Sequence, residues 1–361
     1  MNVKNYEIKL KVLSPLHIGS GETLNPLRYV VKNNILYYLN ESQYIRELLK
    51  TPNSHLEQVV KTDNIYNIVN YFVDCFDETN TDTWQHSYKV DNQFQQAFDK
   101  NLKSPDNQNN LFEFYRTDLF KTPVIPGSSI KGCFRTVMLS AMQRKLKIED
   151  VMEVVGDGKE KPNSQKTEAK ILGNLSVKIT EKAGKKLTQT SIDVAKDPFK
   201  YIKISDIAVG TSAMTVKKIF NKKNNTDEGI PYYAEMLNKG DLVYSGTMSI
   251  DSRFDIEIAR ILGTEPVNTF EYFLKSAKEY YSRVIRKDHD WLETIKKVDT
   301  IREIILRFSE LGGKPNAAIF RLGKGQGCHS LALKPLNQSP RSRNLAGWEP
   351  IGWVQIEFNE I

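Results

Sequence analysis

The chain reads as an α+β protein with mostly antiparallel sheets, one helical insertion and extended basic loops. Two observations predict this class. Segments of period-2 alternation, the mark of half-buried strands, are interleaved with segments of helical spacing. The interleaving lacks the regular βαβ cadence and the G-x-G-x-x-G fingerprint of a doubly wound parallel sheet. With 361 residues, the length suits two compact units or one unit with large insertions.

The elements follow in order. Tyr6, Ile8, Leu10 and Val12 alternate with Glu7, Lys9 and Lys11, so the first strand is half buried. It runs into Ser14-Pro-Leu-His-Ile-Gly-Ser-Gly21, where proline and two glycines open a loop. Leu27–Val31 and Ile35–Leu39 are short strands joined by a tight turn at Asn33-Asn34. From about 41 to 102 the apolar residues take helical spacing (Ile45, Leu48, Leu49; Ile68, Val69, Phe72), which predicts a helical insertion. Leu111–Phe120 is extended, Pro123–Gly127 is a loop, and Ser128 or Ser129 caps a helix carrying Ile130, Phe134, Val137, Met138 and Ala141 on one face. The stretch Val151–Lys186, rich in Lys, Gly, Asn and Ser, reads as mobile loops or an extended hairpin. Strands return at Tyr201–Val209, Met214–Phe220 and Leu242–Ile250, and helical spacing covers 267–311. Ala317–Leu322 is a strand leading into Gly323-Lys-Gly-Gln-Gly327, and Trp353–Phe358 alternates as a final strand. The division expected is 1–150 with the insertion, then 151–361. No fixed-period repeat is present.

Composition excludes several classes. Hydrophobic residues at 40% and charged residues at 26% rule out a wholly disordered or collagen-like chain. Cys75, Cys133 and Cys328 are far apart without a C-x-x-C, so neither a zinc knuckle nor a disulfide framework is expected. The opening residues alternate charge and apolarity, unlike a signal peptide, and no run reaches the ~18 apolar residues of a membrane span. The expectation is a cytoplasmic protein that touches no membrane and uses no cofactor. The net charge of +7 is polarised: residues 121–186 carry 14 Lys and Arg against 7 acids, and residues 312–346 carry 6 against none. The remainder, with 31 basic and 37 acidic residues, is net acidic. This suggests a polyanionic partner and a separate acidic surface; a basic adaptor for an acidic protein is the generic alternative.

Three glycine-bearing loops could carry function. Gly323, Gly325 and Gly327 alternate with Lys324 and Gln326 after a strand, so backbone N–H groups can converge on an anion beside Lys324 and Arg321. The Walker spacing is absent. In Pro126-Gly-Ser-Ser-Ile-Lys-Gly-Cys-Phe-Arg135, a Gly127-Ser128-Ser129 turn opening a helix offers N–H donors, and Lys131 and Arg135 share a helix face four residues apart. The third is the first loop with His17, Gly19 and Gly21. His17 and His329 would have to meet to form an acid–base pair for metal-free RNA cleavage. His55, His86 and His289 have no partner pattern. Asp74, Asp77 and Glu78 read as a solvated helix face, and no H-x-x-x-H, Cys–His grouping or G-x-S-x-G elbow appears.

Taken together, in this order and over nearly the whole chain, the three loops resemble the signature loops of the RAMP superfamily of CRISPR proteins. Length, the helical insertion and the Asp197-Pro-Phe-Lys-Tyr-Ile-Lys-Ile-Ser-Asp206 segment look most like the Csm-type, type III-A subunit at the 3′ end of the crRNA. The resemblance implies a ferredoxin-like (RRM-like) core and a non-catalytic RNA-binding subunit at the head of the filament. It also implies contact with crRNA, with the backbone RAMP subunit and with the small helical subunit, and indirectly with target RNA. Support of crRNA maturation is implied too, with trimming by other nucleases; a metal-independent endoribonuclease is the alternative. The matched positions are His17, Gly19 and Gly21; Gly127, Ser128, Ser129, Lys131 and Arg135; and Arg321, Gly323, Lys324, Gly325 and Gly327. Where related backbone subunits carry a cleavage-supporting aspartate, this chain has Asn25, and an amide cannot serve as that carboxylate. Phe134 is expected in the core, although it or Tyr29 could stack on a splayed base.

Overall fold

The computed structural model describes residues 2–50, 55–104, 110–117, 121–143, 164–173, 175–182, 185–222, 231–265, 268–323, 330 and 343–361. A five-stranded sheet holds the core. Its order is Ile202–Ile204, Val243–Asp251, Val3–Val12, Trp353–Glu360, Ala317–Arg321, and every neighbouring pair is antiparallel. The expected alternation decides which face is covered: Tyr6, Ile8, Leu10 and Val12 are all buried. Over them lie two helices, Gly127–Gln143 and Thr269–Thr294. Phe134 of the first stacks on Phe273 of the second at 3.7 Å between centroids and meets Phe358 of the sheet edge-on. Phe134 is thus a core residue, as expected. Tyr29 is also fully buried against Phe98, so it is not available to a base.

A second sheet runs Glu349–Pro350, Arg343–Ala346, Met214–Lys222, Tyr232–Leu237, Leu111–Phe114, Gly19–Leu24. Only the pairing of Tyr232–Leu237 with Leu111–Phe114 is parallel. The first loop therefore continues as an edge strand rather than staying irregular, with a register shift between Gly19 and Thr23 where Gly21 takes φ +95°. The strand Tyr232–Leu237 and the helix Arg253–Leu262 were not expected. In the first, an apolar run interrupted only by Glu235 shows no period. In the second, the helix begins at Arg253, directly after the strand that ends at Asp251, with no proline or glycine between them.

The insertion is mixed rather than all helical. Helices Glu41–Lys50, Leu56–Lys61, Ile65–Asp74 and Asn92–Asn101 accompany a three-stranded sheet of Tyr29–Lys32, Ile35–Leu39 and Trp84–Lys89. Asn33 and Asn34 both take positive φ, as a two-residue hairpin turn requires. Alternation splits this sheet between two cores. Tyr29, Val31, Leu36 and Tyr38 join the main core, while Val30, Tyr37 and Leu39 pack with Tyr44, Leu48 and Phe72 of the insertion helices. A separate hairpin, Leu175–Lys182 with Lys185–Ile192, pairs over its full length outside both sheets. It matches the extended-hairpin expectation for that stretch. The first strand pairs with strands on both sides that come from the 151–361 region, so that region and the N-terminal residues share one sheet.

Candidate nucleic-acid interface

The first loop and the strand that precedes the glycine-rich segment are tied together by backbone contacts. The loop after the first strand is knitted to the last strands: Leu13 and Ser14 donate to Trp353 O, Gly352 N–H donates to Pro15 O, and Leu322 N–H donates to Gly352 O. Gly323 closes this junction. Its φ is +82°, and a Cβ there would sit 2.1 Å from His17 O. No side chain fits that gap, so glycine at 323 is what lets the chain after the strand Ala317–Arg321 pack against the first loop. The central helix reaches the same place, because Cys133 Sγ lies 3.2 Å from Arg321 O. Burial pushes the Cys133 thiol up to about 12, so it is an inert packing group.

The structure reassigns several of the expected site residues. Arg321 is turned inward. Only 2% exposed, its guanidinium bonds Asp288 Oδ2 at 2.9 Å and Ile351 O at 2.9 Å, over the Trp353 ring. Its strand puts it inward, on the face roofed by the helix Arg302–Leu311. Arg135 is likewise turned to the protein, pairing with Glu168 and with Asp197 Oδ2 at 2.6 Å and lying over Phe199. Burial opposes its charge, yet the bonds to Glu168 and Asp197 prevail and raise its pKa. The opening of the helix is not a vacant anion seat either. Gly127 N–H donates to Asp206 Oδ1 at 2.8 Å, Ser129 N–H donates to Pro126 O, and a Cβ at 127 would lie 2.1 Å from Ile204 O. The glycine here serves close packing against 204–206, and a carboxylate already occupies the positive helix end.

Lys131 and Ser128 remain outward. Ser128 is exposed and Lys131 half-buried, with no ion pair among the described residues. Burial draws the Lys131 ammonium below its ordinary pKa, with Asp197 acting against the shift. Lys324, Gly325, Gly327 and His329 lie outside the described residues, as does much of both basic stretches.

His17 is 2% exposed, and its Nδ1 is 2.8 Å from Glu235 O. A carbonyl can only accept, so Nδ1 carries the proton. Gly19 lies directly against the ring's other nitrogen. Beneath it is a buried cluster that sequence reasoning missed. The Glu235 carboxylate, fully buried, accepts from Tyr88 OH at 2.5 Å, Phe114 N at 2.8 Å and Arg116 Nη2 at 2.7 Å. Arg116 also lies over Tyr38, whose hydroxyl donates to Glu113, and Tyr38 stacks on His86. Burial works against the Arg116 charge, but Glu235 and the phenols outweigh it and hold its pKa up. The cluster joins the insertion sheet, the second sheet and the first loop. Its one sequence signal is a lone carboxylate inside the apolar run Tyr232–Leu237. Among the described residues no group of three or more His, Cys, Asp or Glu side chains is placed to hold a metal ion. No helix among them is long and apolar enough to cross a membrane.

Fold and loops define a class. The RAMP superfamily model matches residues 9–326, and the chain belongs to that superfamily. Among curated proteins, it is 25% identical over 273 residues to the CRISPR system Cms protein Csm5 of Methanocaldococcus jannaschii, covering 72% of this chain and 56% of that protein. It is 24% identical over 139 residues to Csm5 of Streptococcus thermophilus, 38% of each chain. The chain thus spans about half the length, or less, of the curated relatives it matches. Its fold is similar to a chain of the Csm–crRNA–target RNA ternary complex of a type III-A CRISPR-Cas system, with TM-score 0.65, 20% identity and coverage of 98% of this chain and 100% of that one. The crystal structure of T. onnurineus Csm5 matches with TM-score 0.63 and 20% identity, covering 96% and 99%.

Proposed function

We propose that this chain is a non-catalytic RNA-binding subunit of a type III-A Csm interference complex. It binds the 3′ part of the crRNA, caps the filament of backbone RAMP subunits beside the small helical subunit, and supports crRNA maturation in the cytoplasm. Target RNA is met through the guide. The sheet supports a ferredoxin-like core: Val3–Val12, Ile202–Ile204 and Val243–Asp251 with the two long helices supply its parts, and Trp353–Glu360 fills the fourth place beside the first strand.

The observation that carries the reading is the junction of Gly323 with the His17 carbonyl. It holds Gly323, from which the sequence runs on into Lys324-Gly325-Gln326-Gly327, against the first loop, while Cys133 of the helix that bears Lys131 reaches Arg321 O. Backbone donors and lysines grip phosphates without reading bases, which suits a guide whose spacer varies. Gly127 and Arg135 contribute by fixing that helix, and Arg321 by fixing the root of the loop. An endoribonuclease would need His17 as an accessible acid or base, whereas its ring is enclosed and tied to Glu235.

Filter binding of unrelated single-stranded RNAs tests this. Affinity should be similar among sequences, fall steeply with salt, and drop in Lys324→Ala and Gly325→Asp. Equal affinity in those variants at every salt concentration would refute it. Cleavage of repeat RNA in EDTA that is lost in His17→Ala would establish the enzyme instead.

A further inference from the structure

The acidic part of the surface has a formed groove. A cavity of about 410 Å³ lies where the first strand starts and the helix Thr269–Thr294 begins, lined by Lys4, Tyr6, Asn268, Phe270, Glu271 and Glu360 among others. A second cavity of about 140 Å³ shares Lys4, Tyr6, Asn268 and Phe270 with it and extends to Asp255, so the two form one groove. The floor is aromatic. Tyr6 and Phe270 have centroids 4.6 Å apart, and Phe358 stands edge-on to Phe270 at 5.2 Å.

We infer that this groove receives an arginine side chain of a partner protein. Three carboxylates, Asp255, Glu271 and Glu360, face one ammonium, Lys4. Glu271 and Glu360 have no ion pair among the described residues. Asp255 uses Oδ1 to accept Thr269 N–H, and Asn316 gives its amide N–H to Asn359, which leaves its carbonyl oxygen as an acceptor on the rim. Two of the carboxylates bear on one spot: burial first, then Glu360 and Asp255, push the Tyr6 hydroxyl up to about 12. Acceptors around an aromatic floor match a guanidinium, which is planar, donates in several directions and stacks on rings. An ammonium is a hydrated point charge and gains less from the floor. A phosphate is repelled by the net negative lining, and the positive helix end is already closed by Asn268, which accepts from Glu271 N–H. Val3 and Ile256, chain neighbours of Lys4 and Asp255, are 47% and 55% exposed and offer apolar contact to residues flanking the arginine. The inference does not depend on the RNA reading, because the groove and the Gly323 junction share no residue.

Fluorescence anisotropy of the full chain with a hexa-arginine peptide carrying a neutral dye tests it. Glu271→Gln with Glu360→Gln should weaken binding about tenfold, the sum of two partly screened ion pairs. Glu57→Gln with Asp82→Asn, outside the groove, should leave it unchanged. Hexa-lysine should bind several-fold more weakly than hexa-arginine, and the affinity for single-stranded RNA should be the same in both double variants. Equal hexa-arginine binding by the Glu271/Glu360 variant and the wild type, equal binding of the two peptides, or altered RNA affinity on loss of the two carboxylates would each overturn the inference.

Discussion

Arg321 separates a structural from a contact role most sharply. In Arg321→Met the aliphatic volume is roughly kept, but Asp288, also buried, loses its bond to the guanidinium, and Ile351 O loses a donor. Removing one member of a buried pair costs about 3–5 kcal/mol because the remaining charge is stranded, and an unpaired buried carbonyl adds on the order of 1 kcal/mol. For a chain of 361 residues, about 4 kcal/mol lowers Tm by roughly 5 °C. The double variant Arg321→Met with Asp288→Leu removes both charges and should recover most of the loss. Thermal unfolding followed by circular dichroism reads this, alongside RNA affinity at a temperature where every variant is folded. Arg321→Met with unchanged Tm but weaker RNA binding would show that the guanidinium reaches the nucleic acid, and the assignment argued from its burial would fail.

Three further outcomes are expected. Glu235→Leu takes the nearer carboxylate from Arg116, leaving Glu113 at 3.9 Å, and unties Tyr88 and Phe114, so it should cost about 3 kcal/mol in urea unfolding, while Glu235→Gln, which keeps an acceptor, should cost less. Burial first, then Arg116, hold the His86 pKa down at about 4 in the folded state, with Glu235 acting the other way. The unfolded chain therefore takes up a proton that the folded chain refuses. Stability is full above about pH 6.5 and falls by about 3 kcal/mol as pH drops through 6.5 to 4, and His86→Phe should flatten that limb in pH-dependent unfolding. Lys131→Ala should leave Tm unchanged and reduce the salt slope of RNA binding by about one, whereas Arg135→Ala should lower Tm by unpairing Glu168 and Asp197 with little change in that slope.

The elements with a clean period were legible in the chain. The first strand, the Asn33-Asn34 hairpin, the central helix and the final strand each satisfy one local rule, and each stands within a residue or two of its expected place. Elements defined by their neighbours were not. Tyr232–Leu237 carries no alternation because it is the fourth strand of a six-stranded sheet covered on both sides, and only the pairing with Met214–Lys222 and Leu111–Phe114 makes it a strand. Gly19–Leu24 reads as a loop because its glycines and serine lack any burial signal; four of its six residues are exposed, and the sheet edge alone extends it.

The site divides along the same line: the conformational demand on a glycine such as Gly323 is local, whereas the partners of the arginines are not. A glycine motif reports a backbone requirement, and the backbone requirement at 323 is local: positive φ and a carbonyl within 2.1 Å of where a Cβ would be. An arginine reports only that a positive charge exists; where it points is decided by acids far away in the chain. Arg321 meets Asp288, Arg135 meets Glu168 and Asp197, and Arg116 meets Glu235. Glu235 sits in an otherwise apolar, buried strand, where a lone carboxylate would be costly unless matched. Some lysines pair with distant acids at the surface, as Lys11 does with Asp241 and Lys32 with Glu78, but Lys131 has no ion pair among the described residues. The contrast that follows is between Arg116, Arg135 and Arg321, each held by distant acids, and Lys131, which has no ion pair among the described residues. Exchanging the types tests it directly. Lys131→Arg should preserve RNA affinity, since charge suffices at an open position, while Arg321→Lys should destabilise the fold almost as much as Arg321→Met, since a single ammonium cannot span Asp288 and Ile351 O and lie over Trp353 at once.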